Sequence, residues 1–315
     1  MNTSKSNPVP HPSSSQKPLA GRIAVENDVS VQFRHGDFEI TVVSDGYLTI
    51  PGEIFTSDVK PERRAEILNR LDTHVGTVNA PTNIPVLRTK SDLILFDVGG
   101  GHQYQPTDGR LMQNLRAVGF REAEVTKIVI THAHPDHIGA TLGKDNTLQF
   151  PNATYFVGAA EWDFWMDPDF FQQNAEPLHD FGRGAQRDLG AIRNRVVMVK
   201  PGDDVVTGIR ALDTAGHTPG HLSFEISGGE GLIIAADAAT SEIVALEHPD
   251  WKCGYDTIPD VAIKNRKRLI DRAAVDKTKV LGFHWTYPGT GHVEASGSAY
   301  RFIPIVPTSN VGGIT

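Results

Sequence analysis

The apolar positions of this chain fall into short runs of two different periods, and the changes of period mark an alternation of strands and helices. Phe38-Glu39-Ile40-Thr41-Val42-Val43 has strand character, and Ser44-Asp45-Gly46 supplies a turn after it. Residues 51–55 form an apolar loop, and 61–71 carries Ile67, Leu68 and Leu71 at helical spacing. Two strands, 83–88 and 93–97, face each other across the Lys90-Ser91-Asp92 turn and lead to Gly99-Gly100-Gly101. That glycine cluster lacks both the GxGxxG spacing and the lysine of a phosphate loop, so it reads as a sharp turn. Residues 111–117 are predicted helical, 127–130 and 154–157 are predicted strands, and 159–166 is a short helix bearing Trp162, Phe164 and Trp165. Further strands cover 208–212, 222–226, 232–236 and 279–282, with a helix over 261–274. Strands in consecutive groups, interrupted by helices, favour sheets packed on one another with helices outside.

The densest chemistry follows the strand 127–130. Thr131-His132-Ala133-His134-Pro135-Asp136-His137 sets three imidazoles and a carboxylate within six consecutive positions. Two histidines one residue apart can point at one ion from a loop, while Asp136 and His137 turn toward a second, and borderline-soft divalent metals accept this mixture of nitrogen and oxygen. The plain alternative is a polar surface turn that collects histidines. Three further donors sit at strand ends, where loops gather on a rigid scaffold. His217 lies in Thr214-Ala215-Gly216-His217-Thr218-Pro219-Gly220, Asp237 ends the buried run 232–236, and His284 follows the strand 279–282. A carboxylate at the end of a buried strand is costly unless paired, and a metal removes that cost. His132, His134 and His217 would then hold one ion, Asp136, His137 and His284 the other, and Asp237 could bridge both. His11, His35, His74, His102, His179, His221, His248 and His292 have no comparable setting and read as surface or core histidines.

Composition narrows the partners. With 315 residues, 39% hydrophobic and 22% charged, the chain has ample material for a packed core. A formal charge of -8 offers no broad basic field for a phosphate backbone, so no nucleic-acid partner is expected. The one cysteine, Cys253, excludes a disulfide framework and a cysteine-based zinc site, and it reads as a packed or idle thiol. Residues 1–25, rich in Ser, Pro, Asn and Lys, read as a flexible arm without the apolar run of a signal peptide, leaving 26–315 as a single domain. No segment approaches about 18 uninterrupted apolar residues, so no membrane partner and a cytoplasmic location are expected.

Taken with the later His217, Asp237 and His284, the H-x-H-x-D-H run at 132–137 resembles the hallmark of the metallo-β-lactamase superfamily. The resemblance covers residues 38–304. It is strongest toward the methyl parathion hydrolase and acyl-homoserine-lactone lactonase branch, through Leu95-Phe96-Asp97-Val98-Gly99 and the tail 282–293. It implies an α/β (α+β) fold, an αββα sandwich of two mixed β-sheets flanked by helices with the site at one edge, and a homodimer. Asp97 matches the strand-end aspartate that orients a metal-bound histidine. Tyr104, Trp165 and Phe170 are counterparts of an aromatic substrate pocket in the organophosphate enzymes, or else core aromatics, and 51–55 could form a hydrophobic lip.

Two divalent ions, chiefly zinc with manganese, cobalt and iron as alternatives, would sit about 3.5–4 Å apart and share a water made acidic enough to give hydroxide at neutral pH. Asp136 would orient that hydroxide and Asp237 would hold the bridge. The expected activity is hydrolysis of a small neutral organic ester, lactone or phosphotriester. The competing readings are a mononuclear iron dioxygenase on the same fold and a non-catalytic binding module stabilised by metal. Structural sites tend to be closed and single, which weighs against the module.

Overall fold

A strand apolar at every position needs cover on both faces, and that requirement organises the molecule. The computed structural model describes residues 29–71, 73–74 and 76–305, so the arm expected over 1–25 lies outside the described residues. Among the described residues, β1 (Ser30–His35), β2 (Phe38–Pro51), β3 (Thr73–His74), β4 (Thr77–Arg88), β5 (Leu93–Phe96), β6 (Lys127–Ile130), β7 (Thr154–Gly158) and β8 (Val196–Val199) form one sheet. Its order is β1-β2-β4-β5-β6-β7-β8, with β3 on β4; pairs up to β4/β5 are antiparallel and β5 to β8 run parallel. The second sheet holds β9 (Asp204–Val206), β10 (Ile209–Asp213), β11 (Leu222–Ile226), β12 (Leu232–Ile234), β13 (Lys279–Leu281), β14 (Thr290–Ser296) and β15 (Ala299–Pro304) in consecutive order. Only β12 and β13 are parallel there, so both sheets are mixed.

Alternate residues of β5 face opposite layers. Ile94 and Phe96 enter the core between the sheets, where Phe96 meets Phe224 of β11 edge-on at 5.4 Å, while Leu93 and Leu95 face the helices. The helices are α1 (Pro61–Leu68), α2 (Leu111–Ala117), α3 (Pro135–Ile138), α4 (Ala159–Trp165), α5 (Phe170–Gln173), α6 (His179–Ile192), α7 (Val244–Glu247) and α8 (Pro259–Val275). Leu111 and Leu115 of α2 and Leu189 and Ile192 of α6 cover Ile128, Ile130 and Tyr155 on the outer face of the first sheet. Leu269, Ile270 and Ala273 of α8 cover Ile233 and Val280 of the second. The result is the αββα sandwich of two mixed sheets that the family resemblance implied. No helix among the described residues is long and apolar enough to cross a membrane.

Three sequence expectations change. The turn expected at Ser44-Asp45-Gly46 is a bulge inside β2, with Gly46 at φ 110° and the register against β4 shifting between Ser44 and Gly46. The bulge delivers Asp45 to the backbone N–H groups of Gly100, Gly109 and Leu111 at 2.9, 3.1 and 2.6 Å, so the strand's polar break serves the glycine turn after β5. Burial pushes the Asp45 carboxyl up to about 6. The apolar loop at 51–55 is a 3-10 turn, Gly52–Thr56. Helix α6 was not foreseen, because its buried stripe of Gly182, Ala185, Leu189 and Ile192 starts on small residues. A Cβ on Gly182 would lie 2.2 Å from the Phe170 ring, so the small residue admits the aromatic.

Candidate metal centre

The parallel strands bring their carboxyl ends to one edge of the sandwich, and the candidate donors lie there. After β6 the chain runs through His132 and His134 to Pro135, whose fixed φ suits the first position of the one-turn helix α3 carrying Asp136 and His137. Asp237 sits in the 3-10 turn Ala236–Ala239 just beyond β12, His284 beyond β13, and His217 on the loop after β10. All seven residues come together. Donor atoms of His132, His134 and His217 lie within 4.8 Å of one another, as do those of His132, His137 and Asp237 and those of Asp136, His137 and His284. Asp237 Oδ2 is 3.3 Å from His217 Nε2 and 3.5 Å from His284 Nε2, while its Oδ1 is 3.6 Å from His137 Nε2. This carboxylate faces both halves of the cluster.

The rings are aimed from behind. His137 Nδ1 donates to Asp97 Oδ2 at 2.8 Å, His217 Nδ1 to Asp256 Oδ1 at 3.0 Å, and His284 Nδ1 to the Pro81 carbonyl at 2.9 Å. Each bond fixes the tautomer and turns Nε2 inward. Asp97 also accepts from Thr131 N–H at 2.7 Å, and Asp256 accepts from Arg266 at 2.9 Å. Three buried atoms at the centre, the Nε2 of His132 and His137 and Asp237 Oδ1, have no hydrogen-bond partner, while His134 presents its Nδ1 to the cage, 3.0 Å from His217 Nε2. Orphaned acceptors are costly in a protein interior. Their convergence, with imidazole nitrogen and carboxylate oxygen only, fits divalent cations such as zinc.

Electrostatics agree. Burial would raise the Asp136 and Asp237 carboxyls, but the facing imidazoles of His137 and His284 outweigh it and hold both low. Burial likewise opposes charge on His217 and His284, and the surrounding carboxylates reverse it, lifting them to about 9 and about 10. His132 and His134 are pushed well down by burial and by neighbouring imidazoles. The cage thus attracts positive charge wherever a carboxylate reaches a ring.

Two residues that sequence reading passed over tie the cage together. Glu161 of α4 is fully buried and accepts four hydrogen bonds: Oε1 from Ala133 N–H at 2.8 Å and Trp165 Nε1 at 2.6 Å, Oε2 from the Thr218 hydroxyl at 2.6 Å and Gly220 N–H at 3.1 Å. It thereby joins the 131–137 segment to the loop of His217. Helix α4 carries two carboxylates, Glu161 and Asp163, and nothing in their neighbours marks Glu161 as the buried one. His221, read from sequence as an ordinary histidine, is fully buried 5.0 Å ring to ring from His132, and burial pushes it down to about 3. Its signal was a second histidine four residues after His217. Gly220 presses against α4, where a Cβ would lie 1.9 Å from Glu161 N. Gly220→Ala is therefore expected to lower stability by about 2–3 kcal/mol through overpacking, read by thermal unfolding; an unchanged midpoint would show that the loop yields freely.

A cleft of about 400 Å³ opens over Asp136, Asp237 and His284. Leu48, Ile50, Phe55, Tyr104, Phe181, Thr240, Cys253 and Tyr255 line it. Tyr104 thus stands in the cleft. Trp165 and Phe170 do not: both are fully buried, with the Trp165 indole N–H bound to Glu161 and its ring 5.9 Å from that of His134, behind the cage. They are core aromatics, and Phe181 and Tyr255 stand in the cleft instead. Burial, aided by Asp136, raises both phenols, so Tyr104 and Tyr255 stay protonated. The buried Cys253 thiol is pushed up to about 12, which keeps it an unreactive part of the wall.

Comparison with known proteins agrees with this arrangement. The chain is 32% identical over 143 residues to the N-acyl homoserine lactonase AttM of Agrobacterium fabrum, covering 42% of this chain and 48% of that protein. It is 33% identical over 210 residues to the N-acyl homoserine lactonase AttM of Rhizobium johnstonii, covering 62% and 69%. The matched stretch thus spans about half the length of the Agrobacterium relative and more of the Rhizobium one. Among solved structures, AidC, a dizinc quorum-quenching lactonase in complex with a product, N-hexanoyl-L-homoserine, superposes with a TM-score of 0.81 at 29% identity, over 89% of this chain and 99% of that one. The sequence profile of the Metallo-beta-lactamase superfamily matches residues 79–284, well over half of the chain and inclusive of every candidate donor, and the protein belongs to that superfamily.

Proposed function

We propose that this protein is a metal-dependent hydrolase with two ions per chain, chiefly zinc, that opens the ring of N-acyl homoserine lactones. The observation that carries the reading is the set of seven converging donors, three of their inward atoms orphaned, beneath a cleft with apolar walls. Similarity to two N-acyl homoserine lactonases and to a dizinc lactonase supports the substrate class. His132, His134 and His217 would hold one ion and Asp136, His137 and His284 the other, with Asp237 between them. Such ions supply Lewis-acid polarisation and a water acidic enough to be deprotonated near pH 7.

The chain's own groups do the remaining work. Leu48, Ile50, Phe55 and Phe181 present apolar surface suited to an acyl chain and exclude water from the reacting end. The Tyr104 and Tyr255 phenols, kept protonated, can donate hydrogen bonds to the amide or lactone oxygens of a small neutral substrate. Asp136 and Asp237 stay ionised and can accept a hydrogen bond from the attacking water, aligning it with the carbonyl. Water adds to the carbonyl carbon, the ring C–O bond breaks, and the ring oxygen leaves as a hydroxyl.

The test is kcat/KM of zinc-loaded enzyme across acyl homoserine lactones, aryl esters and organophosphotriesters. The lactones are expected to lead by about 100-fold or more, since a site built to hydrogen-bond a substrate rejects analogues that leave its polar groups unpaired. A phosphotriester in first place would move the assignment to phosphoryl chemistry. One iron per active chain would replace it with the dioxygenase reading.

A further inference from the structure

The Asp237 carboxylate faces both halves of the cage, yet the backbone that presents it is in an unfavourable conformation. Ala236, immediately before it, has φ 45°, a left-handed setting that a side chain with a Cβ resists. Such a conformation persists only where its surroundings over-determine it. Three hydrogen bonds do so here. Ala235 N–H donates to the Leu281 carbonyl at 2.9 Å, the Ser223 hydroxyl donates to the Ala235 carbonyl at 2.8 Å, and Asp237 N–H donates to His221 Nε2 at 3.1 Å.

The third bond fixes the state of His221. With its Nε2 lone pair taken by an N–H, the ring must carry its proton on Nδ1, which donates to Thr214 Oγ1 at 2.8 Å. The Thr214 hydroxyl then donates to Ser223 Oγ at 3.0 Å, and Ser223 passes its own proton to Ala235. Every member is buried, and the relay runs in one direction from one side of the Ala236 turn to the other. Because Nε2 is engaged by a backbone donor, His221 is no ligand despite lying beside His132.

We propose that His221 is a positioning residue, clamping the left-handed turn at Ala236 through the Thr214–Ser223 relay and thereby aiming the Asp237 carboxylate at both halves of the metal cage. The inference rests on Asp237 holding metal, as proposed above. It predicts that the loss of His221 is felt as a loss of metal, and that a residue able to hold the same turn by other means restores it.

Four proteins test this: wild type, His221→Leu, His221→Gln, and His221→Leu combined with Ala236→Gly. Zinc content after dialysis against a graded chelator and zinc affinity are measured on each, beside kcat and KM. His221→Leu, which leaves the Asp237 N–H without an acceptor, should weaken zinc binding about 10- to 100-fold, the loss typical when a group supporting a ligand is removed. Gln can still accept from Asp237 N–H and donate to Thr214, so His221→Gln should retain most of the affinity. Glycine adopts positive φ freely, so Ala236→Gly should return about tenfold of what His221→Leu loses. Repair of a packing defect by removing a methyl group fifteen positions away has no basis, so this rescue separates aiming from simple core filling. Wild-type affinity in His221→Leu overturns the proposal, and so does a loss that neither glutamine nor glycine relieves. Fewer than two ions in the wild type would instead overturn the two-ion reading itself.

Discussion

Asp237→Asn is expected to leave about one ion per chain in place of two and to lower kcat by more than about 100-fold, beyond what loss of a supporting group outside the ligand set produces. Two carboxylates, Asp136 and Asp237, lie among the seven donors, and Asp237 is the one whose oxygens face His137, His217 and His284 together. Asparagine keeps the shape but removes the charge, so the cage would retain one negative side chain against the two dications proposed for it. It also offers one oxygen where two are used, and its amide nitrogen is a donor pointed at donors or at cations. Elemental analysis and steady-state hydrolysis on the same sample decide the matter. Two retained ions with unchanged kcat would show that Asp237 spans nothing.

Glu161→Leu should act through a different route and destabilise even the metal-free protein, by about 5 kcal/mol. Four buried donors, from Ala133, Trp165, Thr218 and Gly220, lose their acceptor together. Each unsatisfied buried donor costs about 1–3 kcal/mol, and relief from burying a carboxylate offsets part of the sum. Burial indeed pushes the Glu161 carboxyl up, and its four donors work against that rise. Against a total stability of about 5–15 kcal/mol, such a loss brings the fold close to its threshold. Chemical denaturation of chelator-treated protein measures it without a contribution from metal. Glu161→Gln, which keeps one oxygen, should fall between the two. A metal-free stability equal to wild type in Glu161→Leu would mean that the two histidine loops are held apart from this carboxylate.

The two substitutions divide the site as the chain itself does. Asp237 belongs to the donors, which were legible because each stands at the end of an apolar strand, and the buried runs of β6, β12 and β13 could be read directly. His132, His134, Asp136 and His137 needed no tertiary information, being within six positions of one another. Glu161 belongs to the supporting groups, which were not legible. It joins Ala133 to Gly220 across 28 and 59 positions of chain, and Asp256 reaches His217 across 39. No local pattern marks a carboxylate that will accept three bonds from two separate loops and a fourth from its own helix. Asp97 was the exception, read through family resemblance, and the structure places it on His137.

The cleft shows the same division. Residues 51–55 were read as a lip from their apolar character, and Phe55 does line the cleft. Trp165 and Phe170 were equally apolar and nearer in sequence to the histidines of 132–137, yet α4 and α5 turn them into the core under α6, and Phe181 and Tyr255 reach the cleft instead. Hydrophobicity states that a side chain will be covered; it is silent on whether protein or substrate covers it.

By itself, then, the sequence determined the periodic elements, the layered class of fold and the seven donors, because burial on both faces of a strand and the spacing of ligands in a loop are local properties written in neighbouring residues. The tertiary structure decided which rings are aimed and by what, how a left-handed Ala236 is held, and which aromatics line the cleft, because each depends on contacts between segments that only the packing of two sheets brings together.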